Sequence, residues 1–311
     1  MVTPEDFIIL LNQPESEIDA DQELQGCMLS EQSFNQQQLN QWRFAEVRFE
    51  QCHFKQIVFS QSAFEHCQFQ DCRFEQCQFI DSNWQNCSFG QISWQTCRLN
   101  SNEFNECQWL HQFFEDCELN QSNFNHNNFQ QCRWQLSQLS ESSFFQCKMP
   151  RVHLQQIKAE KTSWVECDLF ECQIQHSNLD NARFLAKCQL EKAHITHCQL
   201  NSASFAEANL KEADLSECDL TFANMSQADL NAAKLHRISA ERSIWTKSNL
   251  NRADLYGSQL VSTLWIAACL TGTDFSYSNM YAADFYQAIM GDNFFFRANL
   301  EQTILEDWQP S

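Results

Sequence analysis

Seventeen cysteines and nine histidines are the residues of this 311-residue chain that could bind metal, form disulfides or act as nucleophiles. In FEHCQFQDCRFEQCQF, residues 64–79, Cys67, Cys72 and Cys77 recur every five residues, each two before a phenylalanine (Phe69, Phe74, Phe79). Thiolates that share a metal must converge within bonding reach, usually from C-x2–4-C spacings, and a period of five does not supply that. His176, His194 and His197 fall close together once the repeat described below is applied. Three imidazoles could hold a metal; the plainer reading is an exposed polar patch. The chain contains no glycine-rich phosphate loop, no G-x-S-x-G and no H-E-x-x-H. The expectation is a protein that is not an enzyme and takes no metal and no cofactor.

The element that positions the cysteines is a repeat. From Leu24 to Phe184 every fifth residue is apolar, 33 positions in succession with Ala159 the only small one. One residue is inserted within FLAKCQL, and the series resumes at Leu190 for 24 more positions to Leu305. A helix repeats at 3.6 and a strand at 2.0, so a period of five describes a solenoid whose every unit turns one corner. The position two residues before each apolar one is restricted to Cys, Ala, Ser, Thr, Val, Ile or Asn almost throughout. Gln22, Gln32, Gln37, Trp42 and Gln112 are its large exceptions. Sixteen of the 17 cysteines occupy this slot, all but Cys269. They read as small, soft core residues beside a large aromatic. Residues 20 apart share character: Ser62, Ser82, Asn102, Ser122, Ser142 and Thr162 form one column, and Cys67, Cys87, Cys107, Asn127, Cys147, Cys167 and Cys188 the next. Four units therefore make one square coil, and stacked polar slots can form hydrogen-bonded ladders.

Composition agrees. Five glycines and four prolines are too few for conventional turns at this length, so the turn is built into the repeat. A net charge of −20 lacks the basic footprint of nucleic-acid binding. The apolar run FIILL, residues 7–11, is far too short to span a membrane. No basic residue precedes it, so no secretory signal is read there. A cytoplasmic location with reduced thiols is expected.

AEANLKEADLSECDLTFANMSQADL (residues 206–230) and NRADLYG (residues 251–257) resemble the A(D/N)LXX pattern of the pentapeptide-repeat family. The resemblance covers residues 22–305. It implies an all-β solenoid, a right-handed quadrilateral β-helix of about 14 four-sided coils. Residues 1–21 read as an N-terminal cap segment, 22–186 as a Cys/Phe/Trp-rich solenoid, 187–305 as an A(D/N)LXX-type solenoid continuous with it, and 306–311 as a tail. A convex prism without long loops offers no concave pocket. Some members of the family imitate a DNA duplex and bind type II topoisomerases, as in plasmid quinolone resistance. Here the outward acids are interrupted by Arg and Lys and form no stripe, so a topoisomerase modulator is the alternative reading. The style of the two halves is similar to pentapeptide-repeat proteins associated with bacterial type VI secretion.

The surface that points to a partner lies near the C-terminal end. Tyr256, Val261, Ile266, Tyr281, Tyr286 and Phe296 occupy the outward position just after a core residue, and Leu264, Ile289 and Phe294 the one just before. Such an apolar patch marks an interface or a self-capping end. The resulting expectation is a protein-binding scaffold or adaptor, accessory to type VI effector loading. It would dock a secretion component, an effector or a second copy through this patch, and contact neither nucleic acid nor membrane.

Overall fold

The computed structural model describes residues 1–11 and 21–306, and its backbone dihedrals show how a five-residue unit turns a corner. In every unit the residue two after the core residue adopts positive φ, between 49° and 63° where it is not glycine. Only Gly26, Gly257 and Gly272 ease this at their corners; elsewhere the position holds Gln, Glu, Asp, His, Arg or Lys among others. A left-handed non-glycine residue costs about 1–2 kcal/mol. Most corners are held by the ladder: the corner N–H donates to a carbonyl on the adjacent coil, as from Glu46 to Glu65 (2.8 Å) and from His66 to Gln85 (2.9 Å). Glycine is scarce because hydrogen bonding, not glycine, makes the turn.

The chain divides into two compact units, Met1–His153 and Leu154–Ser311. In the first, three-residue strands centred on the core residues pair in parallel, and their four sheets form the four faces of a quadrilateral β-helix. On one face Leu24 lies in register with Phe44, Phe44 with Phe64 and Phe64 with Trp84. Side chains alternate with the strand period of two: core residues are buried and their flanking neighbours, apart from Ala45, are wholly or partly exposed. The aromatic columns stack face to face along the coils, Phe54 on Phe74 at 4.7 Å and Phe64 on Trp84 at 3.8 Å. Rings from neighbouring faces meet edge-on, as Phe59 with Phe64 at 70°. The helix Pro4–Leu11 precedes the coils. Thr3 caps it by accepting the Asp6 N–H (3.1 Å) and donating to the Asp6 carboxylate (2.6 Å). The helix buries Phe7 against Phe34, Trp42 and Phe44.

The second unit keeps the same buried columns, but most of its rungs shrink to single parallel bridges such as Asn209↔Asp229 and Asp229↔Asn249. The inserted residue is absorbed at one corner, where Ala186 and Lys187 are both left-handed. Register then steps by 21, Arg183 pairing with Ser204, and returns to 20 at the next rung, Ser204 with Asn224. No helix among the described residues is long and apolar enough to cross a membrane.

The slot residue does more than fill space. In the first unit, where the slot carries a donor, it meets a core carbonyl of the preceding coil. The Cys67 thiol donates to the Phe44 carbonyl (3.3 Å), Cys77 to Phe54 (3.3 Å) and Cys97 to Phe74 (3.4 Å). Where the slot is Ser or Asn, its oxygen also accepts from the slot N–H one coil earlier, linking Ser62, Ser82, Asn102, Ser122 and Ser142. The large exceptions have their own reason. Gln112 accepts the indole N–H of Trp94 (3.2 Å), as Asn127 does for Trp109 (3.0 Å). In the second unit the turn closes on itself: Ala203 N–H donates to Leu200 C=O (3.0 Å) and Ala208 to Phe205 (3.0 Å). With the carbonyl satisfied by backbone, the slot needs no donor and alanine suffices. The cysteines are therefore hydrogen-bond donors as well as packing residues, a role their spacing does not announce.

Candidate docking surface

Where an aspartate precedes a core residue of the second unit, it is part of the turn. Asp214, Asp219, Asp229, Asp254, Asp274 and Asp284 each accept the N–H two residues on, at 2.8–3.2 Å. These Asx contacts replace the strand bonds that the narrower rungs lack. They hold the following side chain at the corner of a face, and for Asp254 and Asp284 that side chain is Tyr256 and Tyr286.

The residues named from sequence sort into two kinds. Tyr256, Tyr286, Ile289, Phe294 and Phe296 are exposed, the last at 61%. Val261, Leu264, Ile266 and Tyr281 are half-buried between neighbouring coils. The structure brings Tyr256 and Phe296 together through a residue outside that set. Tyr277 lies 5.1 Å from Tyr256 and 5.4 Å from Phe296, ring centre to ring centre. The Arg297 guanidinium sits over both Tyr277 (5.8 Å) and Phe296 (5.4 Å), within cation–π range. Tyr277 occupies the left-handed corner position, φ 60°, outside the two outward positions just before and just after a core residue. All four tyrosines lying between residues 256 and 286 was the signal that could have included it. Ile304, 73% exposed, adds a further apolar side chain in the outward slot just before a core residue, Leu305. Leu264, Ile266 and Tyr286 share a different face, on which Ile244 and Leu264 are bridge partners. The interior also opens here: Met290, Phe295 and Leu300, core residues of the last described coil, are half-buried.

Elsewhere the chemistry is quiet. His176 and His197 stack in parallel at 4.9 Å, and His197 Nδ1 lies 3.1 Å from Glu217 Oε2. His194 flanks the same core residue, Ile195, on the strand rather than the corner. Among the described residues no group of three His, Cys, Asp or Glu is placed to hold a metal ion. Burial pushes the thiols of Cys77, Cys87, Cys97 and Cys172 well above the ordinary range, and that of Cys132 up to about 12. The expectation of a surface without concavity needs correction. Left-handed corner residues and the first residues of the next face project as two rows on either side of the small slot. Grooves therefore run along the corners, one of them about 650 Å³ and lined by His111, Gln112, Phe113, Gln131, Arg133, Arg151 and His153.

Among curated proteins, none matches this chain. It is similar to HetL, a pentapeptide repeat protein involved in heterocyst differentiation regulation from the cyanobacterium Nostoc sp. strain PCC 7120. Identity is 21% over 66% of this chain and 92% of that one, with a TM-score of 0.30. It is similar also to QnrB1, a plasmid-mediated fluoroquinolone resistance protein, at 16% identity over 63% and 90% (TM-score 0.30). A mannuronic-acid-specific polysaccharide lyase from human gut microbiota aligns at 7% identity over 93% and 81% (TM-score 0.34). The pentapeptide repeat region model matches residues 47–124, 110–184 and 188–265, and with its one-corner units stacked four to a coil the chain belongs to the pentapeptide repeat family.

Proposed function

We propose that the protein is a non-enzymatic protein-binding scaffold of the cytoplasm that docks a partner protein through the apolar and aromatic surface of its last coils. The carrying observation is the exposed ladder Tyr256–Tyr277–Phe296 with Arg297 over it. Aromatic residues and arginine are the side chains most enriched at binding hot spots, and a buried core gains nothing from displaying them. Tyr286, Ile289 and Phe294 extend the apolar area around the same coils. The narrower form of this reading, an adaptor for loading effectors of bacterial type VI secretion, draws on the style of the sequence. Affinity capture from native extract tests it.

Tyr286→Asp combined with Phe296→Asp is expected to leave the fold intact, since both side chains are about 60% exposed, and to remove the strongest native protein contact. Pull-down of the partner, or size-exclusion chromatography where the partner is a second copy, reads the loss. Gln130→Asp, exposed on the first unit, is the control that keeps binding. A double variant that stays folded and retains every partner refutes the docking role, and one that unfolds assigns the patch to capping.

The topoisomerase alternative needs free negative charge in regular columns. Instead the second unit's aspartates accept backbone N–H groups, and first-unit acids meet bases: Glu23 and Glu65 pair with Arg43, Glu75 with Lys55 and Arg73, and Glu118 with Arg98. No protection of purified gyrase from a quinolone is expected at micromolar protein. Salt-sensitive protection in a supercoiling assay would reverse the ranking.

A further inference from the structure

One face of the second unit carries charges that its own fold keeps apart. Its rungs are Gln189, Asn209, Asp229, Asn249 and Cys269, each paired with the next, and two left-handed corner columns bound it. One column reads Lys187, Glu207, Gln227, Lys247, Ala267, and the other Lys192, Glu212, Ala232, Arg252, Gly272. Both run base, acid, neutral, base, small from coil to coil. Glu207, Glu212, Lys247 and Arg252 are exposed. Among the described residues Glu207, Lys247 and Arg252 enter no ion pair, and Glu212 reaches only Lys192, at 3.9 Å. Spacing is the reason: the acid and the second base of one column stand two coils apart, about 9.6 Å, beyond ion-pair reach. The other two corner columns differ. One reads Ser202, Phe222, Arg242, Ser262, and in the other Glu217 and Arg237 already pair with each other at 3.5 Å.

A second copy supplies the missing partners. Two such faces laid antiparallel, about a two-fold axis that crosses the coil of Gln227 and Ala232, set each acid opposite a base of the other copy. Glu207 meets Lys247 and Glu212 meets Arg252, and symmetry repeats both pairs. A parallel arrangement instead sets Glu207 against Glu212 and Lys247 against Arg252, which like-charge repulsion disfavours. Size matches as well as charge, since the long Lys187 and Lys192 come to lie opposite Ala267 and Gly272. Asp229 meets its own copy at the axis, but its carboxylate is already held by Lys211 (3.1 Å) and the Asn249 amide (3.0 Å). One coil beyond these rows Glu171 would face Asp292, so like charges bound the contact at five coils. Five coils by one five-residue face is about 24 Å by about 16 Å. That is near 400 Å² per copy, about half a standard interface, which places the pairing in the weak class where charge sets specificity.

We propose that this face pairs antiparallel with the same face of a second copy of the chain, held by the reciprocal pairs Glu207–Lys247 and Glu212–Arg252. It is a different face from that of the Tyr256–Tyr277–Phe296 ladder. The experiment is sedimentation velocity of the full chain over a range of protein and salt concentrations. At low salt a dimer is expected with a dissociation constant of about 10–100 μM. It should weaken at least about tenfold near 1 M salt, where charges are screened within about 3 Å. Lys247→Glu with Arg252→Glu should weaken self-association at least about tenfold, and so should Glu207→Lys with Glu212→Lys, because like charges then face across the axis. An equimolar mixture of these two double variants should associate at least as tightly as the parent, since four acids then face four bases. All four substitutions in one chain exchange the signs and should restore the parent dimer. Circular dichroism melts of the variants, expected to match the parent because all four side chains are exposed, separate loss of contact from loss of fold. Tyr286→Asp with Phe296→Asp should leave this dimer unchanged, which distinguishes it from docking through the last coils. The proposal is overturned if the parent stays monomeric at millimolar protein and low salt, if either charge-reversed variant dimerises as the parent does, or if the mixture of the two stays monomeric.

Discussion

Replacing Phe74 by alanine is expected to lower stability by about 3–5 kcal/mol, measured by urea unfolding at constant m-value. Phe74 is fully buried. It is sandwiched between Phe54 at 4.7 Å and Trp94 at 4.3 Å, both nearly parallel to it, and met at an angle by Phe69 and Phe79. The ladder fixes the distance between coils, so the neighbours cannot collapse into the space without breaking rungs above and below. The cavity term therefore stays near its upper range. Gln76, two residues on, is the comparison. It is exposed, left-handed at φ 55°, and bound through its amide to Gln56 at 3.1 Å. Gln76→Ala keeps the corner and loses one solvent-exposed hydrogen bond, so a change under about 0.5 kcal/mol is expected. Equal costs at the two positions would mean that the aromatic column is not what holds the coils together.

The second large effect concerns thiol reactivity. A thiol reacts as the thiolate, and burial moves Cys132 up to about 12. At pH 8 that alone lowers the reactive fraction about 10³-fold against an ordinary cysteine near 8.5. Burial among stacked rings adds the need for local opening. In the native protein a maleimide reagent should modify the half-buried Cys27 and Cys269 first. The buried cysteines should follow only at the rate of unfolding, and all 17 should react in denaturant. Raising the pH should accelerate Cys77, Cys87 and Cys132, because burial displaces their pKa values upward and the thiolate gains population only toward strong alkali. Rapid labelling of Cys77, Cys87 or Cys132 at pH 8 would show that the coils open far more readily than their packing implies. Because these thiols also donate to core carbonyls, Cys→Ser at such a site should be milder than Cys→Ala where the carbonyl has no other donor.

Particular residues show how far the sequence could be read. The columns Leu24 to Phe184 and Leu190 to Leu305 were legible because a single rule, large and apolar every fifth residue, is imposed by an interior that admits nothing else. The columnar polar slots were legible for the same reason. The left-handed corner was not, since Glu46, His66 and Gln76 carry no glycine signal; what holds them is a hydrogen bond to another coil. The reason for Cys in one half and Ala in the other was likewise hidden. It depends on whether a carbonyl is met by its own turn or by a neighbour's side chain. At the C-terminal surface the exposure of Tyr286 and Phe296 followed from the outward positions. The place of Tyr277 between two rings of neighbouring coils depends on a corner side chain that no outward/inward alternation describes.

The paired left-handed residues Ala186 and Lys187 have a consequence for how such a gene can change length. One extra residue was taken up at a corner without loss of the rungs on either side. Slippage or unequal exchange that adds or removes a whole coil leaves every downstream residue on its original face, so surfaces such as the aromatic ladder move along the axis intact. Gain or loss of a single unit is just as acceptable to the core, because every unit presents the same apolar residue inward. It rotates everything downstream by one face, however, and so separates or unites surface features that the core does not sense. Lineages of this protein can therefore rearrange their binding surfaces by duplication alone, with no substitution in the interior.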